Sequence, residues 1–405
     1  MYLYFAWRYF RAKKSANAIN IIAWLSVTII AIATCAQILV LSVFNGFENL
    51  VKSLYSSFYS DIKITPTNGK TFLLTTTQIN NINKQSYIFG SSLIAEEKAL
   101  LKNEDSQTVP TLKGVDENYK NISGILPKIT SGTFDIGDAD NPKLVLGYGV
   151  QSKASIRVSE ALPSSIVTII LPKKTTANNI EDAMSEGNAI PMGIFSIQQE
   201  IDDRYAITNL AFVKQQMGFA ADEFSAMEIK LIPNENDNEA KIKIAAMLGK
   251  EYTVQSRYEQ NANLYSTMRL EKWAIYLVLT LILIIAAFNI VSALTMLVLE
   301  KQQDINILRS MGETKFGIQK IFLAEGLLLG IVGSIFGIIL AIIISILQLK
   351  FHLIKLNGGS FLIDYFPVKM ILIDFLIVAI TAISISFIAA WFPSRKAVRN
   401  NISLK

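Results

Sequence analysis

Histidine occurs once in the 405 residues, as His352, and cysteine once, as Cys35. One of each cannot assemble a Cys/His zinc site or a disulfide within the chain. Any catalysis built on histidine would have to use His352. No G-x-x-x-x-G-K-[ST] run, the loop whose backbone amides cradle nucleotide phosphates, is present. The patterned residues point to mechanics instead. Positions 300–312 read EKQQDINILRSMG, with Ile305, Leu308 and Met311 three apart and Lys301, Asp304 and Arg309 among them. That spacing predicts a short helix with an apolar side. Gly312 suits the position past its end, where φ > 0, and Thr314 suits the cap of the next helix. The apolar side needs cover from a membrane surface or another protein; the alternative is a plain connector. Gly326, Gly330, Gly333 and Gly337 fall on one helical face, continued by Ala341. Small residues let membrane helices approach closely, so this stripe predicts packing. Glu325 and Asp374 stand at the ends of apolar runs, which argues against a proton relay.

These residues must be held by membrane-crossing elements. Hydrophobic residues make up 51% of the chain and charged ones 18%, with a mean hydropathy of +0.37, whereas a soluble globule carries about 25% charged residues. The windows 15–47, 273–299, 326–349 and 375–394 contain no Asp, Glu, Lys or Arg, and each reaches the roughly 20 residues a spanning helix needs. The first is too long for a cleaved signal peptide, whose apolar region is about 7–15 residues. Cys35 inside it reads as a small packing residue. Arg8, Arg11, Lys13 and Lys14 precede the first span; Lys301, Arg309, Lys315 and Lys320 follow the second; Arg395, Lys396, Arg399 and Lys405 follow the fourth. Only Lys350, Lys355 and Lys369 lie between the third and fourth. The excess places both termini and the middle loop in the cytoplasm and 48–272 outside it. Tyr2, Phe5, Ala6 and Tyr9 share a face beside basic residues, as an interfacial helix would; a disordered basic tail is the alternative.

The expected architecture is an α-helical membrane protein of four transmembrane helices, with a large α+β domain inserted between helices 1 and 2. Its parts are an elbow helix at 1–18, span one at 19–47, the external domain at 48–262, and a stalk with span two at 263–299. A cytoplasmic loop at 300–317, span three at 318–349, a short external loop at 350–369, span four at 370–394 and a tail at 395–405 complete it. In the external domain 60–66, 109–115, 143–147, 166–171, 206–212 and 226–233 read as strands, and 77–84, 213–217 and 236–248 as helices. Strands and helices mix without a βαβ period, which favours α+β. The first uncharged window would be about 50 Å long at ~1.5 Å per residue, beyond the about 30 Å hydrocarbon core. It and 261–272 therefore predict a helical stalk under the domain. Positions 172–193 form a long polar stretch, read as a partner-binding arm or as disorder.

Three runs carry a family resemblance: SVFNGFE at 42–48, FNIVSAL at 288–294 and DINILRSMG at 304–312. With LKGVD at 112–116, LVLGYG at 144–149 and WFPSRKA at 391–397, the chain resembles, over essentially its whole length, the transmembrane subunits of lipoprotein-releasing (Lol) ABC transporters. These lie in the wider macrolide-efflux and FtsX-type permease group. The resemblance implies a multi-pass inner-membrane permease, not itself an enzyme, with a periplasmic domain. It binds no cofactor directly; ATP and Mg are bound by a separate cytoplasmic ATPase dimer. The segment with Lys301, Asp304, Ile305, Leu308, Arg309, Met311 and Gly312 becomes the coupling helix that docks on that ATPase. A second permease, identical or homologous, completes the complex, which lifts a triacylated lipoprotein from the outer leaflet and passes it to a periplasmic carrier, with no role for nucleic acid. A lipid substrate needs a cleft, for which Val40, Val43, Phe44 and Phe47 on span one and Leu264, Met268, Trp273 and Leu277 at span two are the candidates. The 172–193 stretch, with Lys173, Lys174, Asn178, Asn179 and Glu181, takes the place of the family's carrier-binding hook. Other readings of the chain are a mechanotransmitting efflux permease, an FtsX-like regulator of cell-wall hydrolases, or a membrane sensor or scaffold that uses no ATP.

Overall fold

The computed structural model describes residues 17–158, 166–174, 183–356 and 365–399. The elbow expected at 1–18 lies outside them except for 17 and 18, which begin the first helix. The chain divides into two compact units: a span unit of Met1–Leu50 with Ser266–Lys405, and a head of Val51–Tyr265.

The span unit is built on α1 (Asn17–Phe58), α2 (Ala262–Glu300), α3 (Gln302–Ser310), α4 (Lys315–Phe351) and α5 (Leu372–Arg399). All but α3 are long and apolar enough to cross a membrane. At 42 residues α1 would be about 63 Å long at ~1.5 Å per residue, roughly twice the hydrocarbon thickness. It does not stop at 47 but continues to Phe58, its last turns belonging to the head. One buried cluster gathers Val27 and Ile30 of α1, Ile290 and Leu294 of α2, Ile305 of α3, Phe322 and Leu329 of α4 and Ala390 of α5. A second, around Ile38, Leu41, Ala341 and Val378, closes the other half.

The glycines of α4 lie at two close approaches. A Cβ built on Gly326 would lie 2.3 Å from the Cβ of Ala390, and one on Gly330 2.3 Å from Ser386 Oγ, both on α5. One on Gly333 would lie 2.9 Å from Ile30 Cβ and one on Gly337 2.6 Å from the Ala31 carbonyl oxygen, both on α1. The stripe is thus shared between two partner helices.

The head is α+β. Its main sheet has 12 strands among the described residues. Their order is Tyr252–Ser256, Ile62–Pro66, Ala226–Leu231, Ile88–Lys98, Thr111–Val115, Tyr205–Asn209, Lys143–Gly147, Met184–Phe195, Val167–Pro172, Leu100–Asn103 and Ser106–Thr108, with Ile129–Gly132 paired to Met184–Phe195. Two pairs, Thr111–Val115 with Tyr205–Asn209 and Lys143–Gly147 with Met184–Phe195, are parallel. Helices Thr76–Asn83, Leu210–Met217 and Asp237–Leu248 cover it. The strand expected at 206–212 ends at Asn209, because that side chain accepts from the amides of Ala211 and Phe212 and starts a helix at Leu210.

The 172–193 stretch is neither one long arm nor wholly irregular. Residues 184–193 lie in the strand Met184–Phe195, whose first half pairs antiparallel with Val167–Pro172 in the register Met184↔Pro172 to Ala189↔Val167. From Ile190, opposite Lys143, the strand pairs with its parallel neighbour, with a bulge between Pro191 and Gly193. The connection is therefore confined to 173–183. Asn178, Asn179 and Glu181 lie outside the described residues.

Candidate functional site

The loop after α2 folds as α3, with Lys301 and Asp304 paired at 3.0 Å across its first turn. Gly312, at φ +91°, reverses the chain past its end: its amide donates to the Arg309 carbonyl and that of Glu313 to the Leu308 carbonyl, satisfying carbonyls the helix leaves open. Thr314 Oγ1 then accepts from the Gly317 amide and starts α4. The apolar residues divide between two directions. Ile305 is buried against the span helices and Leu308 is half-buried. Met311 is 78% exposed, joined by exposed Ile307 and Phe316. The uncovered surface is thus Ile307, Met311 and Phe316, two of which spacing alone did not single out, because the stripe that contains Ile305 is the inward one.

At the opposite end of the span unit the named cleft residues differ in exposure. Val43, Phe44, Phe47 and Met268 are half-buried, whereas Val40, Trp273 and Leu277 are exposed. Phe47 packs edge-on against Phe366 at 5.8 Å. Leu264 belongs to the head, where it helps line a polar cavity of about 420 Å³ with Tyr55, Tyr59, Glu200 and Arg204.

Beside Phe47 lies a polar cluster that sequence reading missed. Asn45 is buried. Its Nδ2 donates to Asp374 Oδ2 at 2.6 Å, and its Oδ1 accepts from Lys272 Nζ at 2.8 Å. Lys272 completes the triangle at 3.2 Å from Asp374 Oδ1. The segment before α5 is strapped to the same face of α1. The Lys369 amide donates to the Ser42 carbonyl at 2.9 Å and its Nζ to Asn49 Oδ1 at 2.6 Å. A Cβ on Gly46 would lie 2.2 Å from the Pro367 carbonyl oxygen, so only glycine admits the strap there. The signal available in the sequence was a paired Asn-Gly and two charges at the ends of uncharged windows, but nothing in the spacing joined them.

In the head, Lys174 is tied down. Its ammonium meets the carboxylate of buried Glu223, and its amide donates to the Met217 carbonyl at 3.0 Å. Burial would raise the Glu223 pKa, but hydrogen bonds from Lys174, Thr71 and the Ala220 amide outweigh it and hold the carboxyl below its ordinary value. The Lys173 amide closes the base of the connection on the Ala183 carbonyl at 2.8 Å. Among the described residues no group of three or more His, Cys, Asp or Glu is placed to hold a metal.

Residues 276–402 match the family described as FtsX-like permease C-terminal. The lipoprotein-releasing system transmembrane protein LolC of Xylella fastidiosa is 26% identical over 402 residues, covering 97% of this chain and 95% of its own. The corresponding LolE of Haemophilus influenzae is 26% identical over 417 residues, covering 98% and 96%. This chain is similar over nearly its full length to lipoprotein-releasing transmembrane proteins. Among solved structures, the periplasmic region of MacB from Actinobacillus actinomycetemcomitans aligns with a TM-score of 0.37 at 15% identity, covering 54% of this chain and 98% of that one.

The motifs by which the chain resembles the lipoprotein-releasing family are, in the head, scaffolding. Lys113 of LKGVD is buried and pairs with Glu228. A Cβ on Gly114 would lie 2.7 Å from Val213 Cγ2, and Asp116 accepts from Ser92 Oγ and the Leu93 amide. In LVLGYG a Cβ on Gly147 would lie 2.2 Å from the Asp202 carbonyl oxygen. The SVFNGFE run is different, since its Asn45 and Gly46 build the polar cluster between spans.

Proposed function

We propose that the chain is a permease subunit of a lipoprotein-releasing ABC transporter in the bacterial inner membrane, with both termini cytoplasmic and the head periplasmic. A separate ATPase dimer, which binds ATP and Mg, docks on α3 and the start of α4. With a second permease subunit, identical or homologous, the assembly lifts triacylated lipoproteins from the outer leaflet and hands them to a periplasmic carrier. The observation that carries this reading is similarity to lipoprotein-releasing transmembrane proteins across both units, covering 97% of this chain and 95% of the relative. Two features support it. Ile307, Met311 and Phe316 form an apolar surface that the span unit leaves uncovered, and such a patch marks a partner site. The helices α1 and α2 each contribute residues to both units, so movement has an unbroken helical route.

The test has two arms. A photoreactive residue at Phe44 should give lipoprotein adducts in cells; adducts with small amphiphiles and none with lipoprotein would replace release by efflux. Ile307→Asp with Met311→Asp should lower co-purifying ATPase at least tenfold while the amount of chain in the membrane is unchanged. Normal ATPase recovery and lipoprotein release in that variant would remove α3 from the coupling.

A further inference from the structure

We propose that the head carries a binding site for a neutral oligosaccharide, set between the start of the strand Ile88–Lys98 and the short helix Tyr119–Ile122. The site uses none of the residues assigned to the ATPase or to lipoprotein, and the inference depends on neither.

The lining is of one chemical kind. A cavity of about 560 Å³ is bounded by the side chains of Asn83, Ser91, Asn118 and Asn121, with Phe89, Gly90 and Ile122 completing the wall. That volume falls within the range of small-ligand pockets, about 300–1,000 Å³. None of these residues is charged, so an ionic ligand would give up water and gain no counter-charge. The amides and the hydroxyl argue equally against an acyl chain. Each of those four polar side chains can both donate and accept, and a sugar hydroxyl does the same. Phe89 supplies the other half of the recognition. It is 61% exposed, although its neighbour Ile88 is buried. A pyranose presents a flat face of C–H groups, and the negative face of an aromatic ring attracts such hydrogens. A peptide would be recognised through pockets for its side chains, whereas this cavity offers one ring, one buried aliphatic wall and no charge.

The walls are set before any ligand arrives. Asp116 Oδ1 accepts from Ser92 Oγ at 2.6 Å and from the Asn118 amide at 3.1 Å, and its Oδ2 accepts from the Leu93 amide at 2.9 Å. One carboxylate thus ties the turn that carries Asn118 to the strand that carries Phe89 and Ser91. Ser91 is itself buried, and its Oγ donates to Asn83 Oδ1 at 2.7 Å. That contact turns the Asn83 carbonyl inward and leaves its NH2 to donate to a ligand. Gly90 keeps the wall beside Phe89 bare, since a Cβ there would lie 3.2 Å from Ile122 Cγ2. Groups fixed in this way lose less freedom when a ligand binds.

The test is saturation-transfer NMR on the full chain in lipid nanodiscs, with triacetylchitotriose, cellotriose and maltotriose as probes. All three are neutral and differ in linkage and in acetamido groups. At millimolar concentration at least one should take up saturation on its ring C–H protons. Phe89→Ala, and separately Asn118→Ala with Asn121→Ala, should lower that transfer at least fivefold, and Phe89→Tyr should keep it. The substituted side chains are all exposed, so the core of the head is left intact. Should an alanine variant fail to accumulate, Asn121→Asp, which keeps the shape and adds a charge, should give the same loss. No transfer to any of the three sugars, or transfer that the variants leave unchanged, overturns the site. Displacement of the sugar by tri-alanine at equal concentration also overturns it and makes the cavity a peptide groove. Because no lipoprotein or nucleotide is present, each result stands apart from the proposed transport.

Discussion

At the scale of single residues, the head is organised around a charge taken out of water. Lys113 and Glu228 each have side chains 2% exposed, and their charged atoms are 2.7 Å apart. The ammonium also donates to Tyr119 Oη at 3.2 Å and sits 4.7 Å from the ring centres of Phe58 and Tyr119. Removing one partner of such a pair leaves the other buried and unpaired, which costs about 3–5 kcal/mol, whereas replacing both with apolar groups is often neutral. Lys113→Ala should therefore lower the stability of the head by about that amount, and Lys113→Met combined with Glu228→Leu should recover most of it. Thermal unfolding of the detergent-purified chain, read through head tyrosine fluorescence, distinguishes the two. Equal losses in both variants would mean that the charge itself carries no weight. The LKGVD run was legible as a feature of the head, but its partner was not. Glu228 lies 115 residues away, and only pairing of Ile88–Lys98 with both Thr111–Val115 and Ala226–Leu231 brings the two together.

At the scale of elements, what could be read depended on how one-sided each segment's burial is. Lys143–Gly147 was expected at its observed bounds because Leu144, Val145 and Leu146 are all apolar and buried. In the first half of Met184–Phe195 only Ser185 and Ala189 are buried, so its sequence carries almost no apolar alternation and reads as loop. Its partner Val167–Pro172 supplies the apolar face instead. The tie at the base of this hairpin has a definite pH dependence. Glu223 has its carboxyl pKa held below the ordinary 4.5. A depressed carboxylate contributes fully above its unfolded value and loses that contribution as pH falls through its folded value. The contact between Lys174 and Glu223 should thus persist from neutral pH down through 4.5 and be lost below it. Hydrogen exchange at the Lys174 amide, corrected for intrinsic rate, should show falling protection only in that acid window. Glu223→Gln should give weaker protection that does not change there, and an identical pH response in the variant would assign the loss to another group.

At the scale of the whole molecule, fold class was the most legible property, because four uncharged windows and one long mixed segment admit few arrangements. The structure accordingly shows four long apolar helices with an α+β head between the first and second. The polar cluster of Asn45, Lys272 and Asp374 was not legible, since its members come from three helices and no local period relates them. Orientation is a separate matter from fold, and the proposed one rests on charge. Lys301, Arg309, Lys315 and Lys320 flank the loop that holds α3, whereas Lys350, Lys355 and Lys369 are the basic residues between α4 and α5. Translocating Lys or Arg near a span is disfavoured, so the richer side is expected in the cytoplasm, and the charge of a segment as long as the head does not oppose its crossing. Both Lys70, in the head, and Gln303, on α3, are exposed, and replacing Cys35 removes the native thiol. In that background a membrane-impermeant maleimide added to spheroplasts should label Lys70→Cys at once and Gln303→Cys only after permeabilisation. The reverse order would put α3 and the head on exchanged sides. No cytoplasmic ATPase could then reach Ile307 and Met311, and energy would have to enter the chain by another route.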